Sequence, residues 1–227
     1  MNETDAAQAG TVLYGKAPLD ILRWAYQTFG DRVTIASSFG VEDVVLIDLA
    51  TRVYPRPDVF FLDTDLLFHQ TYQTMQDVTR RYPIAMRRIR AGLSLAQQAQ
   101  QYGEALWERD PDQCCFLRKV SSLNRALDGY EAWITGMRRE QSATRAHIGV
   151  VEWDEKRQLV KINPLALMTT GALWEWVRLN HVPYNPLHDQ GFPSIGCMPC
   201  TRAVAAGEDA RAGRWSGFSK KECGLHE

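Results

Sequence analysis

The stretch Arg32-Val33-Thr34-Ile35-Ala36-Ser37-Ser38-Phe39-Gly40-Val41-Glu42-Asp43 decides the fold of this chain. Residues 32–36 form a short β-branched run that predicts a strand. Residues 37–40 are small or polar and predict a turn, and residues 41–53 continue as an amphipathic helix that begins with two acidic residues. The order strand, loop, helix is the repeating unit of an α/β protein.

The same unit recurs along the chain. Apolar runs bounded by turn residues predict further strands at residues 58–62, 84–89 and 131–136. Apolar residues at helical spacing predict helices at residues 18–29, 68–82, 93–102, 112–127 and 172–180. Residues 148–153 and 159–162 are predicted to pair as a hairpin. We therefore expect a single open, twisted, mostly parallel sheet with helices on both faces.

Length and composition exclude several classes of protein. The chain has 227 residues, of which 45% are hydrophobic, so it can bury the core of one domain. A formal net charge of −1 argues against a basic nucleic-acid-binding protein. The first ten residues do not resemble a secretory signal, and no apolar run approaches the roughly 20 residues that span a bilayer. We expect a cytoplasmic protein that binds neither nucleic acid nor membrane.

Three predicted loops should meet at one site, because ligands of such sheets bind beyond the carboxyl ends of the strands. In the first loop, Ser37, Ser38 and Gly40 offer hydroxyl donors and close backbone approach to an anion, although such a turn is more often a plain connection. In the third loop, the guanidinium groups of Arg138 and Arg139 suit phosphate or sulfate oxygens, and a solvated charged loop is the alternative. The site is predicted to bind a small anionic ligand.

The five cysteines divide into four and one. Cys114 and Cys115 are adjacent, and Cys197 and Cys200 form a C-x-x-C pair, so these four thiols are candidate metal ligands. Four thiolates hold either a zinc ion or an iron–sulfur cluster, and the spacing alone does not decide between them. Cys223 stands alone near the carboxyl end and is the candidate nucleophile.

Several motifs occur together in an order that resembles one family. The chain resembles the sulfonucleotide reductases of assimilatory sulfate reduction, specifically the iron–sulfur type that reduces adenosine 5′-phosphosulfate (APS). The segments that carry the resemblance are Ser37–Asp43, Leu62–Thr64, Cys114-Cys115 with Lys119, Thr135–Ser142, Cys197–Arg202, Gly213–Trp215 and Lys221–His226.

The resemblance implies an adenine nucleotide alpha hydrolase-like fold and a two-step reaction in sulfate assimilation and cysteine biosynthesis. The Cys223 thiolate would attack the sulfate sulfur of APS and expel AMP, which leaves a Cys S-sulfo intermediate. Thioredoxin would then attack this intermediate and release sulfite. Departure of an anion from an anionic substrate requires fixed positive charge.

The resemblance also implies which residues serve this reaction. Cys114, Cys115, Cys197 and Cys200 would bind a [4Fe–4S] cluster, and His226 would assist Cys223. The residues implied to bind substrate are Ser37, Ser38, Gly40, Leu62, Asp63, Thr64, Lys119, Arg138, Arg139, Arg211 and Arg214. One departure from the family pattern is Asp65, which stands where a glycine is common, and we expect it to face solvent or cap the next helix.

The expected organisation has three parts. Residues 1–17 would form a flexible N-terminus, residues 18–196 a nucleotide-binding α/β domain, and residues 197–227 a cluster-binding and catalytic segment packed on that domain. The sequence is compatible with a homo-oligomer but does not define one.

Three alternatives remain at this stage. A reductase of 3′-phosphoadenosine 5′-phosphosulfate (PAPS) is the nearest, although such reductases generally lack the four cysteines. An enzyme of RNA thiolation should carry an ATP pyrophosphatase loop and a basic face, which the sequence lacks. In a zinc-stabilised, non-catalytic binding protein, Cys223 would be dispensable.

Overall fold

A single six-stranded sheet organises the computed structural model, which describes residues 1–226. The strands are β1 (Val33–Ser37), β2 (Asp58–Asp63), β3 (Ala85–Arg90), β4 (Ala132–Ile134), β5 (Val151–Asp154) and β6 (Leu159–Ile162). Their order across the sheet is β3-β2-β1-β4-β6-β5. Every neighbouring pair is parallel except the hairpin of β5 and β6. The predicted mostly parallel sheet and the predicted hairpin are both confirmed.

Helices precede β1, connect β1 to β4 and follow β6. They are α1 (Glu3–Leu13), α2 (Pro18–Phe29), α3 (Val41–Thr51), α4 (His69–Arg81), α5 (Leu95–Tyr102), α6 (Leu106–Arg109), α7 (Pro111–Cys115), α8 (Ser121–Ala126) and α9 (Thr170–Asn180). A single π-helical turn, Phe116–Val120, joins α7 to α8. None of the helices in residues 1–226 has the length and apolar character needed to cross a bilayer.

Alternating side chains on the strands divide the core between the two faces of the sheet. In β2, Val59 and Phe61 belong to the larger hydrophobic cluster, which includes the buried residues of α2 and α3. Phe60, between them, belongs to a smaller cluster with Trp133 of β4 and Leu123 of α8. Successive side chains of a buried strand point to opposite faces of the sheet, so they pack alternately against the helices on each face.

The N-terminal residues differ from the expectation of a flexible segment. Within residues 1–17, α1 begins at a capping box formed by Asn2 and Asp5 and packs against β5. Ala6 is fully buried. At Gly10 the helix approaches the strand so closely that a β-carbon would lie 2.8 Å from the Val151 carbonyl oxygen. The apolar periodicity of this segment is weak, so the sequence did not predict the small apolar face with which α1 covers β5.

The chain changes direction across the sheet at β1 and β4. After β1 it proceeds to β2 and β3 on one side, and after β4 it proceeds towards β6 and β5 on the other. A crevice opens at such a point, beyond the carboxyl ends of the two strands. Gly136 keeps the two loops close there, because a β-carbon at Gly136 would lie 2.4 Å from Asp43 Oδ1 of α3.

Candidate active site

A cavity of about 700 Å³ occupies the crevice beyond β1 and β4. The loops after these strands form part of its wall, and the C-terminal segment forms another part. The predicted site residues that line the cavity are Ser37, Ser38, Gly40, Leu62, Lys119, Arg138, Arg211, Arg214, Cys223 and His226. The structure thus brings most of the residues selected from the sequence to one place.

The hydrogen-bond donors of the first loop are partly used within the protein. The backbone N–H and the hydroxyl of Ser38 donate to Asp43 Oδ2 at 2.6 and 2.7 Å, and Ser37 Oγ accepts from the Phe39 N–H at 3.1 Å. Burial raises the pKa of Asp43 to about 6, although the bonds from Ser38 oppose this rise. The donors of Ser38 are therefore held by an acid of the following helix, and Gly40, the N-cap of α3, has no side chain to cap that helix.

In the second loop, residues 62–65 at the end of β2, only Leu62 lines the cavity, and the other three residues brace the site. Asp63 is fully buried. It pairs with Arg88 and accepts from the Tyr72 hydroxyl at 2.6 Å. Burial raises the pKa of Asp63, but the Tyr72 and Arg88 contacts lower it below its usual value. Thr64 lies beside the cysteines, where its hydroxyl is 3.3 Å from Cys197 Sγ.

Asp65 is exposed, which is one of the two positions expected for it, and it does not cap the next helix, whose N-cap is Phe68. Its φ of 55° is in the left-handed region, which explains why glycine is suited to this position. Its carboxylate receives a 2.7 Å bond from Nη2 of Arg118, a fully buried side chain. Arg118 Nε also donates to the Thr64 carbonyl at 2.5 Å. Asp65 therefore belongs to an ion pair that fastens the second loop to the π-helical turn.

Four reduced cysteines converge on one small second site. Cys114, Cys115, Cys197 and Cys200 line a small cavity together with Lys119 and Trp215. Burial, together with a smaller effect of the neighbouring thiols, raises the pKa of Cys114 to about 11 and that of Cys200 to about 12.

This donor set fits a metal centre with four thiolate ligands, since a bound cation would relieve the mutual repulsion of the thiolates. In residues 1–226, no group of three or more Cys, His, Asp or Glu side chains is arranged to hold a single metal ion.

Lys119 lies between the two sites. It lines both the 700 Å³ cavity and the small cavity of the cysteines. Burial lowers the pKa of Lys119, but the negative fields of Cys197, Cys223 and Cys115 outweigh burial and raise it above the ordinary value. Lys119 thus carries a secure positive charge close to both the cysteine set and Cys223.

The two arginines predicted in the third loop differ in position. Arg138 lines the cavity but is 4% exposed, and its Nη2 donates to Glu42 Oε1 at 2.9 Å. Arg139 points away from the cavity: its Nε donates to the Ile148 carbonyl, and its guanidinium lies over the ring of Tyr14. The positive charge of Arg138 is already paired, and that of Arg139 lies outside the cavity.

Arg145, seven residues after Arg138, lines the cavity and was not selected from the sequence. Its Nη1 donates to Gln141 Oε1 at 2.6 Å, and its remaining donors reach Glu222 of the C-terminal segment. In the sequence, the indication that Arg145 belongs to the site was its position at the end of a loop that also contains Arg138 and Arg139.

The C-terminal segment contributes two arginines. Arg211 Nη1 and Arg214 Nη1 approach Ser194 Oγ at 3.5 and 3.2 Å. The Arg214 guanidinium lies 4.5 Å from the centre of the Trp215 ring. Burial, assisted by Arg145, lowers the pKa of Arg211 to about 10. Gly196 leaves room for Arg214, since a β-carbon there would lie 2.2 Å from its Nη2.

Cys223 is half-buried and lies at the junction of two cavities. It lines the 700 Å³ cavity on one side and a more open cavity of about 660 Å³ on the other. Cys223 lies close enough to both Lys119 and Cys115 to interact electrostatically with them. A thiol in this position is reachable from the nucleotide-sized cavity and from a second, open side.

His226 stacks on Trp133 of β4, with ring centres 5.5 Å apart and an interplanar angle of 7°. Burial lowers the pKa of His226 well below its usual value, and Lys161 and Arg145 lower it further. Within the described chain, His226 Nδ1 and Trp133 Nε1 are buried without a hydrogen-bond partner. His226 is therefore a neutral imidazole with a nitrogen open to a ligand of the cavity. Trp133 was not selected from the sequence, because it is an apolar residue of a buried strand like its neighbours.

Comparison with known proteins assigns the chain to a family. The phosphoadenosine phosphosulfate reductase domain matches residues 32–203, which are more than half of the sequence. The chain belongs to this family. The resemblance seen in the motifs is thus confirmed.

Two curated members of the reductase family are named adenosine 5′-phosphosulfate reductase. The one from Lysinibacillus sphaericus is 48% identical over 93% of this chain and 91% of its own length. Adenosine 5′-phosphosulfate reductase 1 from Bacillus subtilis is 47% identical over 93% and 91%. A third relative, from Gloeobacter violaceus, is 51% identical over 92% and 88%, and is named phosphoadenosine 5′-phosphosulfate reductase.

Solved structures agree with the family fold. The phosphoadenylyl-sulfate reductase from Candida auris, solved as a phosphate complex, has a TM-score of 0.76 and 29% identity, covering 90% of this chain and 98% of that chain. FMN adenylyltransferase from Candida glabrata shares the fold alone, with a TM-score of 0.60 and 14% identity over 89% and 75%. The predicted fold class is confirmed.

The positive φ of Asp65 yields a test of the second loop. Asp65→Gly and Asp65→Ala both remove the carboxylate from Arg118, but only alanine keeps a β-carbon in the left-handed region. We expect the alanine variant to be less stable than the glycine variant by about 1 kcal/mol. Thermal unfolding should show a difference of about 2–4 °C for a chain of this length.

Asp65→Asn is the matched control for charge, because asparagine tolerates the left-handed region and keeps an acceptor for Arg118. Of the three variants, Asp65→Asn should have the unfolding midpoint closest to that of the unmodified protein. Equal midpoints for the alanine and glycine variants would contradict the role assigned to the backbone.

Proposed function

We propose that this protein reduces APS to sulfite and AMP in the cytoplasm, with thioredoxin as the electron donor, and so supplies sulfite for cysteine biosynthesis. The observation that carries the proposal is the position of Cys223, a thiol outside the four-cysteine set, in the wall of a cavity that Lys119, Arg211 and Arg214 also line. Family membership and the curated relatives named as APS reductases support the choice of substrate.

The first step is a transfer of the sulfonate group to sulfur. The Cys223 thiolate attacks the sulfate sulfur, and a sulfur–sulfur bond forms. The bond between that sulfur and the bridging phosphate oxygen breaks, and its electron pair leaves with AMP. At about 4 Å each cation is worth roughly 1–4 kcal/mol to the developing charge, so Lys119, Arg211 and Arg214 together change the rate by orders of magnitude.

The second step releases sulfite. A thioredoxin thiolate attacks Cys223 Sγ, and the electron pair of the sulfur–sulfur bond departs with sulfite. The second thioredoxin thiol then displaces Cys223 from the mixed disulfide. The dithiol supplies both electrons, and Cys223 returns to its starting state. The open cavity beside Cys223 supports access of a second protein to this sulfur.

We further propose that Cys114, Cys115, Cys197 and Cys200 hold a [4Fe–4S] cluster. When bound, the cluster would organise this side of the site and influence its electrostatics. Lys119 would then hold a positive charge between the cluster ligands and the substrate anions, which agrees with its position between the two cavities. Because the dithiol provides both electrons, the proposed steps would require no electron from the cluster.

The proposed function predicts a covalent adduct on one residue. Protein incubated with APS in the absence of thioredoxin should gain one sulfonate on Cys223 and release one equivalent of AMP. Intact-mass and peptide mass spectrometry would locate the adduct. Cys223→Ser is the matched control, since it preserves size but replaces the thiolate with a weak nucleophile.

The control variant should bind AMP as the unmodified protein does and form no adduct. An adduct on the serine variant, or on one of the other four cysteines, would overturn the assignment of Cys223.

The assignment of a [4Fe–4S] cluster predicts the iron and sulfide content of the purified protein. Protein purified without oxygen should be brown and contain about four iron and four sulfide per chain. Cys200→Ala should lose most of the iron, whereas Cys223→Ala should retain it. A colourless protein with one zinc per chain would refute the cluster.

PAPS reduction is the second candidate function, because the relative from Gloeobacter violaceus is named for that substrate. The 3′-phosphate of PAPS needs its own cationic partner. Two arginines of the cavity, Arg138 and Arg145, already pair with Glu42 and Glu222.

This pairing predicts a preference for APS over PAPS. We expect kcat/KM to be at least about tenfold higher for APS, because a group that finds no matching partner in the site is strongly disfavoured. Steady-state kinetics with both substrates would measure the ratio. Equal values, or a higher value for PAPS, would favour the second candidate.

A further inference from the structure

Glu222, the residue before Cys223, occupies a binding site built from two arginines. Arg145 donates twice: its Nε reaches Oε1 at 2.9 Å, and its Nη2 reaches Oε2 at 2.7 Å. Arg211 Nη2 donates to Oε2 at 3.1 Å, and the Thr144 hydroxyl donates to Oε1 at 3.1 Å. The carboxylate thus receives four hydrogen bonds, all from outside its own turn of chain.

These contacts lie away from solvent. The side chains of Glu222, Arg145 and Arg211 are 13%, 11% and 14% exposed. Burial raises the pKa of Glu222, but Arg145 and Arg211 lower it below its usual value. A paired charge in such surroundings is costly to separate, unlike an exposed ion pair.

The same arginine also holds the backbone beside Glu222. Arg211 Nη2 donates to the Lys221 carbonyl at 2.8 Å. One residue earlier, Lys220 forms an ion pair with Asp112 of α7. Three consecutive residues of the tail are therefore fixed to the domain or to each other immediately before Cys223.

We propose that Glu222 is a positioning residue that docks the tail and sets Cys223 at the junction of the two cavities. The inference rests on the proposed function, in which Cys223 is the nucleophile. Glu222 acts through the tail backbone and touches no reacting atom in this role. The in-line approach of a thiolate to a sulfate sulfur depends on such positioning.

Arg145 and Arg211 have a second role, because both line the 700 Å³ cavity. With Glu222 in place, the three side chains carry one net positive charge. Replacement of Glu222 by glutamine leaves two positive charges facing the cavity. A nucleotide anion should therefore bind the variant at least as tightly, while the Cys223 thiol loses its fixed position.

The test compares Glu222→Gln with Glu208→Gln in the full chain loaded with its cofactor. Glu208 is a matched control: it is an acid of the same tail, paired with Arg202, but it lies outside the lining of both cavities. The measurements are amide hydrogen exchange of the tail without ligand, the dissociation constant of AMP, and the single-turnover rate of sulfonate transfer from APS to Cys223.

For Glu222→Gln we expect faster exchange of the tail amides, an AMP dissociation constant that is unchanged or lower, and a transfer rate reduced by at least about tenfold. Glu222→Asp, which keeps the charge but shortens the side chain, should retain part of the transfer rate. Glu208→Gln should match the unmodified protein in AMP affinity, in transfer rate and in the exchange of the amides of residues 220–226, although its own contact with the Ala205 N–H is lost. The iron content and circular dichroism of each variant establish that it is folded.

Unchanged exchange of the tail amides in folded Glu222→Gln would overturn the inference. A transfer rate that falls only in proportion to a loss of AMP affinity would also overturn it, because that pattern indicates general damage to the cavity. If the unmodified protein forms no adduct with APS, the proposed function fails. The exchange measurement, which needs no substrate, still decides whether Glu222 docks the tail.

Discussion

The parallel pairing of β1 with β4 is the constraint on which the rest of the structure depends. Because the chain leaves these two strands in opposite directions across the sheet, the loops that follow them enclose a crevice. Gly136 lets the loop after β4 lie against the first turn of α3. The loops after these two strands therefore form one part of the cavity wall, and other parts come from residues 170–196 and from the C-terminal segment.

Ion pairs with acidic side chains reduce the net positive charge of the cavity. Arg138 is neutralised by Glu42, Arg211 and Arg145 share Glu222, and Lys119 lies in the negative field of the thiols. A charge count from the sequence would therefore overestimate the attraction of the site for anions. The pairing also keeps several like charges close together in a buried place, which would otherwise be costly.

The sequence predicted the sheet well because buried parallel strands are continuous apolar runs, and such runs are readable one at a time. It also separated Cys223 from the four other cysteines, which lie together in the structure, since cysteine spacing is a property of the chain itself. It was less successful where a role depends on which side chains meet. Neither the bond from Tyr72 to Asp63 nor the turn of Arg139 towards Ile148 leaves a local signal in the sequence.

Loop conformation was a further limit. The contact of Asp65 with Arg118 joins residues 53 positions apart, and it depends on a π-helical turn that helical periodicity does not reveal. Arg145 was overlooked for a related reason, because its importance comes from Glu222, 77 residues later. The unpredicted part of the candidate site consists mainly of such long-range polar contacts.

The packing of Leu225 against the smaller hydrophobic cluster of Phe60, Leu123 and Trp133 has a consequence for the reaction proposed at Cys223. The end of the tail is part of the protein interior, and partial burial of one leucine with one aromatic stack is worth on the order of 1–3 kcal/mol. A partner that draws Cys223 outward must compensate for this loss with its own surface. In the proposed reaction these contacts would hold the sulfonated Cys223 at the junction of the two cavities, so that a partner thiol would approach it through the open cavity of about 660 Å³.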